Sequence, residues 1–294
     1  MVTPTTLVLA LAQLSPAANP WADHVVSFTA GTGGSAGFDD PTACLGPPER
    51  FTGEASAAAT VVSPFSPAWG IDELVSIGLG GSIVLSFDEP VRDDPDNPWG
   101  IDLLLFGNSG LIDGAYPSGI CTGLFGADGG IVEVSPDGDT WWLVDVQADA
   151  PWATLGWSDA GPYDAMLGNA PTDMVLPVDP SIAPESVIGL DYASIVDLYA
   201  GSAGGTGIDL AYVGLDAITH VRISVPNDAF LAAEIEALVD VGRWGDATGD
   251  HVISVDDVLA VVGAFGATNS VLADRDHDGI VGVSDLLIVL ETWP

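Results

Sequence analysis

Two stretches near the end of the chain hold the residue types best suited to chemistry. Asp246-Ala-Thr-Gly-Asp-His-Val-Ile-Ser-Val-Asp-Asp257 and Asp274-Arg-Asp-His-Asp-Gly-Ile-Val-Gly-Val-Ser-Asp285 repeat one another at an offset of 28 residues. A hard cation such as calcium takes about six to eight oxygens. A twelve-residue loop can offer them from positions 1, 3, 5 and 12, from the carbonyl at 7 and through water at 9, with a sharp turn at 6. The second stretch puts Asp274, Asp276, Asp278, the Ile280 carbonyl and Asp285 at those positions, with Gly279 at the turn. The first supplies Asp246, Thr248, Asp250, the Val252 carbonyl, Ser254 and Asp257, with His251 at the turn position. Two calcium ions are therefore expected, the second loop being richer in charge.

Each loop must open onto an element that holds it. Val258, Leu259, Val262 and Phe265 follow the first at helical spacing, and Leu286, Leu287 and Leu290 follow the second. Upstream, the patterning is that of strands. His24–Phe28 and Ser82–Phe87 alternate, Ile83, Leu85 and Phe87 sharing one face, while Ile101–Phe106 is a nearly continuous apolar run that suits a strand buried on both sides. Ile131–Ser135 and Thr140–Val146 flank Pro136-Asp-Gly-Asp139, a hairpin turn in which Gly supplies the positive φ. His220–Val225 alternates again. Glu234–Val241 fits either a helix or a strand, and is read as a closing strand with Ile235, Ala237, Val239 and Val241 inward. Residues 29–70 and 150–208 read as long loops, the second ending in a flexible glycine-rich turn at Gly201–Gly207.

Composition limits the chemistry. All five cations among 294 residues are Arg, against 33 Asp and 9 Glu, and the formal charge is −37. With no lysine, a phosphate-binding P-loop and Schiff-base catalysis are excluded. Nucleic acid and anionic lipid would be repelled. With 48% hydrophobic residues and 9 Trp the chain is too apolar for disorder, and 36 Gly with 21 Pro favour short strands joined by turns. Thr6–Leu14 is a short apolar stretch followed by small residues, as in a secretory signal, although no basic residue precedes it. In an exported protein Cys44 and Cys121 would be expected to pair, while in a reducing compartment they would be buried thiols; spacing alone leaves both open.

Other candidates are weaker. Trp141, Trp142, Trp152 and Trp157 offer a sugar-stacking platform or, equally simply, core filling, with Trp142 on the apolar face of its strand and Trp141 as the exposed, ligand-facing one. Asp93, Asp94, Asp96 and Asn97 form an acidic turn that suits solvent or a structural cation. His24 and His220 stand alone in apolar runs. No G-x-S-x-G or H-E-x-x-H motif occurs, and nothing singles out a pair of acids for glycoside hydrolysis.

The hairpin Val132–Val144 (VEVSPDGDTWWLV), with Leu45-Gly-Pro-Pro48, Gly80–Asp88, Asn97–Asn108 and Asp209–Ile223, resembles the galactose-binding-like jelly rolls of secreted bacterial proteins. The tandem loops are similar to a type I dockerin, whose loops end in Asp at position 12 and are each followed by one helix. That resemblance implies attachment to a cohesin-like domain through Val255 and Asp256, then Val283 and Ser284, although neither helix carries a basic residue. The chain is thus read as mainly β: a signal peptide over 1–18, an antiparallel β-sandwich of jelly-roll type over 19–242, and a small α-helical dockerin-like module over 243–294. The expected function is that of an exported, non-catalytic, carbohydrate-binding protein of the cell envelope or medium with a calcium-dependent docking module. The alternative is a component or enzyme of extracellular polysaccharide degradation, of glycoside hydrolase type, tethered through the same module.

Overall fold

The structure, a computed structural model, describes residues 19–52, 58–125, 129–149, 152–249, 252–268, 270, 272–276 and 279–293; the expected signal segment lies outside them. The described strands are β1 (His24–Thr29), β2 (Phe51–Thr52), β3 (Thr60–Val61), β4 (Val75–Ile77), β5 (Ser82–Arg92), β6 (Leu103–Gly107), β7 (Gly110–Asp113), β8 (Cys121–Phe125), β9 (Gly129–Ser135), β10 (Trp142–Asp149), β11 (Thr206–Ile208), β12 (Ala217–Ser224) and β13 (Ala233–Asp240). The helices are α1 (Tyr192–Tyr199), α2 (Val255–Gly263) and α3 (Val283–Glu291). One sheet runs β1-β5-β12-β9-β10 and a second β11-β6-β13-β4, with two small hairpins, β2-β3 and β7-β8. Every strand pairing is antiparallel.

Alternation in the sequence becomes rows across the first sheet. Leu85 pairs with Val221, Val221 with Val134 and Val134 with Trp142; one step along, Ile83, Ile223, Val132 and Val144 line up likewise. These side chains form one core with Val75, Ile77, Leu103, Leu105, Ile235 and Leu238 of the second sheet. Two antiparallel sheets sharing a core are compatible with a β-sandwich, each fully buried aliphatic side chain contributing about 1.5–3 kcal/mol. The turn between β9 and β10 is the expected one: Gly138 has φ +76°, and the Asp137 carboxylate accepts the N–H groups of Asp139 and Thr140, both at 2.9 Å.

The second sheet is buried on both faces, as the continuous run before and through β6 implied. Leu104, Phe106, Ala237 and Val239 turn away from the shared core and pack with Ile101, Met174 and Ala203. Two expectations change here, and one left open is decided. The strand at 234–241 exists, but its faces split. The register shifts between Ile235 and Ala237, so Ile235 and Leu238 meet the shared core while Ala237, Val239 and Val241 pack outside. Residues 150–208 are not all loop. Asp191 accepts the Ser194 N–H at 2.9 Å and starts α1, whose Tyr192, Ile195 and Tyr199 pack with Phe65, Leu111 and Leu155. In the glycine-rich turn, Gly204 has φ +95°, and a Cβ there would stand 2.5 Å from the Ala153 carbonyl, so the glycine permits a close backbone approach. Finally, Cys44 and Cys121 are both buried thiols in different cores, donating to the carbonyls of Ile235 and Gly123. No disulfide joins them, because the two sheets and the outer layer bury them apart.

The extra residue at the β13 irregularity is Glu236. Its carboxylate is 1% exposed and accepts the Thr154 hydroxyl at 2.7 Å. Burial, with Glu73 and Glu234 nearby, pushes its pKa to about 8 from an ordinary 4.5. The folded protein keeps this proton across a range in which the unfolded chain has released it. Stability therefore falls as pH rises from about 4.5 to about 8, at ~1.4 kcal/mol per pH unit from this group. Glu236→Gln is expected to remove that slope, melting above the parent near pH 8 and with it near pH 4. Thermal melts at fixed calcium across this range measure both slopes, and parallel slopes would refute the assignment.

Candidate metal centre

Both acidic loops are closed by the last Asp of the pattern, which is also in the first turn of the following helix. Asp257 accepts the Ser254 N–H at 2.7 Å, while Ser254 caps α2 by accepting the Asp256 N–H at 3.1 Å. Asp285 accepts the Gly282 N–H at 2.6 Å at the start of α3. The other oxygen of each reaches back to position 3: Asp257 to the Thr248 N–H and hydroxyl, both at 3.0 Å, and Asp285 to the Asp276 N–H at 3.0 Å. The Asp at position 1 also accepts a loop N–H in each, but from different positions: Asp246 from Gly249, three residues on, at 2.7 Å, and Asp274 from Gly279, five residues on, at 2.9 Å. The loops therefore share a scaffold of hydrogen bonds as well as a spacing.

The scaffold gathers the acids. Carboxylate oxygens of Asp274, Asp276 and Asp285 all lie within 4.8 Å of one another. Calcium sits about 2.3–2.6 Å from its ligands, so oxygens on one ion stand within about 5 Å of each other, and this donor set fits. In loop one, the Thr248 hydroxyl occupies the place of the Asp276 carboxylate and lies 3.2 Å from Asp246. Burial and the nearby Asp246 raise the Asp257 pKa. Asp250, His251 and Asp278 lie outside the described residues. Val252 and Ile280 follow the turns with exposed side chains. Between the helices, Ile253 and Val261 pack with their repeat mates Val281 and Val289, plus Ala247 and Ala273; these six are the buried members of the cluster among the described residues, with Val258 and Leu286 partly buried against them.

Elsewhere the candidates disperse. Trp142 packs against the shared core and Trp152 stands edge-on to Tyr199 at 5.2 Å. Trp157 lies beside Arg50, and Trp141 carries the Arg222 guanidinium 4.2 Å above its ring, Arg222 itself being held by Glu133 at 2.6 Å. His24 bonds Asp88 at the surface, and His220 bonds the Thr219 hydroxyl. In the acidic turn, Asp94 and Asp96 bind Arg243, at 2.7 and 3.8 Å. Asp93 instead joins Asp102 and Asp209, with oxygens again within 4.8 Å. Sequence reading passed over Asp102 and Asp209. The one signal was an acid inside the apolar run before β6. Asp102 is fully buried, accepts the Asp94 and Leu210 N–H groups and the Asn97 amide, and is pushed up to about 6 by burial.

A cavity of about 570 Å³ separates residues 246–275 from the sheets, lined by Trp21, Arg50, Met174, Asp240, Asp246 and Leu272 among others. Burial, with Asp102 nearby, lifts the Asp240 carboxyl well above its ordinary range. Of the other acids on this cleft, Asp173 binds Arg275, Asp246 accepts the Gly249 N–H and Glu49 accepts the N–H groups of Arg50 and Phe51. No family model, no curated protein and no solved structure matches the chain, so its function has to be argued from its own residues.

Proposed function

We propose that residues 243–294 are a calcium-organised docking module of dockerin type, which attaches a non-catalytic, galactose-binding-like body to a cohesin-like partner outside the cell. One observation supports this above others. Val255, Leu259 and Val262 share one face of α2, and Val283, Leu287 and Leu290, each 28 residues on, share the same face of α3; all six are between 49% and 62% exposed. Six large aliphatic side chains left in water on two helices, each opened by a metal loop, make an unpartnered surface with internal two-fold repetition. A segment as short as residues 243–294 buries too little apolar surface to hold such a module alone, so cation binding would supply much of its stability.

Loop two brings one more carboxylate than loop one at position 3 and keeps glycine at its turn, and calcium affinity grows with ligand charge. Calorimetric titration of the full chain is expected to show two unequal calcium events. Asp274→Ala should weaken the tighter event by at least about tenfold, and Asp246→Ala the weaker one. Two identical affinities would refute the argument from ligand count.

The docking surface has its own test. Full-length protein is expected to bind immobilised type I cohesin domains in calcium and to be released by chelator. A Leu259→Asp, Leu287→Asp double variant should lose this binding while keeping both calcium events. Failure to bind any cohesin in saturating calcium would overturn the partner assignment.

A further inference from the structure

The 28-residue repeat breaks at one telling position. Position 2 of loop one is Ala247, which is buried in the module's own core; position 2 of loop two is Arg275, the only Arg or Lys between residues 246 and 294. Arg275 is 2% exposed. Its guanidinium bridges the module and the body: it donates to the module's own Trp244 carbonyl at 2.8 Å and Leu272 carbonyl at 3.3 Å, and meets Asp173, 102 residues earlier, at 3.5 Å. Asp173 is equally buried and is fixed from the body side. Its carboxylate accepts the Val175 N–H at 2.9 Å, its own N–H donates to Gly201, and Arg50 lies near enough to feel its charge. Two neighbouring contacts follow the same seam: Arg243 on Asp94 and Asp96, and Trp244 edge-on to Trp99 at 5.5 Å.

We propose that calcium in loop two docks the module onto its own body through Arg275, so that metal binding and intramolecular docking are one coupled event. This rests on the reading of the loops as calcium sites. Arg275 stands between two of the three clustered carboxylates, Asp274 and Asp276, and its backbone N–H donates to the third, Asp285, at 2.5 Å. The cluster therefore sets the point from which the Arg275 side chain starts. Without a cation, three carboxylates within 4.8 Å repel one another, and the loop that aims the guanidinium at Asp173 loses its brace. A buried guanidinium stripped of its carboxylate is strongly unfavourable, so the docked arrangement needs loop geometry and ion pair together. The outward triples on α2 and α3 are exposed with the body in place, so docking leaves the proposed partner surface free. With the module docked, Asp246 and Leu272 supply part of the wall of the cleft that Trp21 and Met174 also line.

Linkage makes this testable far from the metal: whatever calcium contributes to docking, docking returns to calcium affinity. Calcium titrations on the full chain would compare the parent with Asp173→Asn, Arg275→Gln and the double variant, alongside small-angle scattering with calcium and with chelator. Expected are a loss of about fivefold or more in the tighter calcium affinity for each single variant, an unchanged weaker site, and a double variant no worse than either single. The parent should expand on chelation, and Asp173→Asn should stay expanded even in calcium. Because Asp173→Asn could disturb its own loop, amide exchange at residues 272–276, inside the module, serves as the second readout. Faster exchange there, in calcium, is expected from the body-side substitution. Parent affinities at both sites in Asp173→Asn, or a radius unchanged by chelator, would overturn the coupling while leaving the calcium and cohesin readings intact. A parent that binds no calcium would overturn both.

Discussion

Forty-two carboxyl groups share this fold with five guanidinium groups and no lysine. Each carboxylate that cannot stay in water needs some other positive partner, and the structure finds three kinds. Backbone N–H groups are the commonest. At the half-buried Asp113, burial pushes upward, but the N–H groups of Ala115, Gly119 and Ile120 prevail and its pKa is lowered; the same device holds the exposed Asp137 low through Thr140 and Asp139. Protons are the second kind: burial raises Glu236, Asp102 and Asp240 toward or into the neutral form. Divalent cations are the third kind we propose, at the tandem loops, where carboxylate oxygens of Asp274, Asp276 and Asp285 lie within 4.8 Å of one another.

The arginines are placed accordingly. Arg222 bridges strands through Glu133 and stacks on Trp141, and Arg243 gathers the acidic turn at Asp94 and Asp96. Arg50 braces the outer layer by donating to the carbonyls of Gly156 and Thr172. Arg275 alone is buried against a carboxylate that is itself buried, with side chains 3% and 1% exposed. In so acidic a chain, spending a guanidinium on a seam between two parts is a strong constraint on how those parts sit. A buried pair of this kind adds little net stability, but it penalises every arrangement that separates its members.

Much of the body was legible because strands with one buried face write their role every second residue. Ile83, Leu85, Val221 and Ile223 did so plainly, and Asp137-Gly138 marked the turn between β9 and β10. What failed had local causes. One extra residue at Glu236 reverses the faces of β13, and with both sides buried the sequence carries no polar stripe to reveal the slip. Helix α1 is eight residues long, below the length at which periodicity speaks, and it is held by Asp191 and by packing of Tyr192, Ile195 and Tyr199. Cys44 and Cys121 could not be placed because nothing in their spacing encodes which core each enters. Asp102 was hidden in an apolar run, and its partner Asp209 is distant in sequence.

The tandem acidic loops and the helix after each were legible for the opposite reason: a pattern within twelve residues, repeated once, is local information. Their seam with the body was not, since Asp173 sits in an irregular stretch with no periodicity to announce it. The repeat nevertheless held the clue. Two loops under the same geometric demand should differ only where something outside them intervenes. Thr248 against Asp276 changes the cation's ligands. Ala247 against Arg275 changes nothing the cation touches: one side chain fills the module's core, the other crosses to Asp173. That substitution answers to the body rather than to the metal. On the proposed reading, it turns a symmetrical pair of loops into one that mainly serves a cation and one that serves a cation and also points the module.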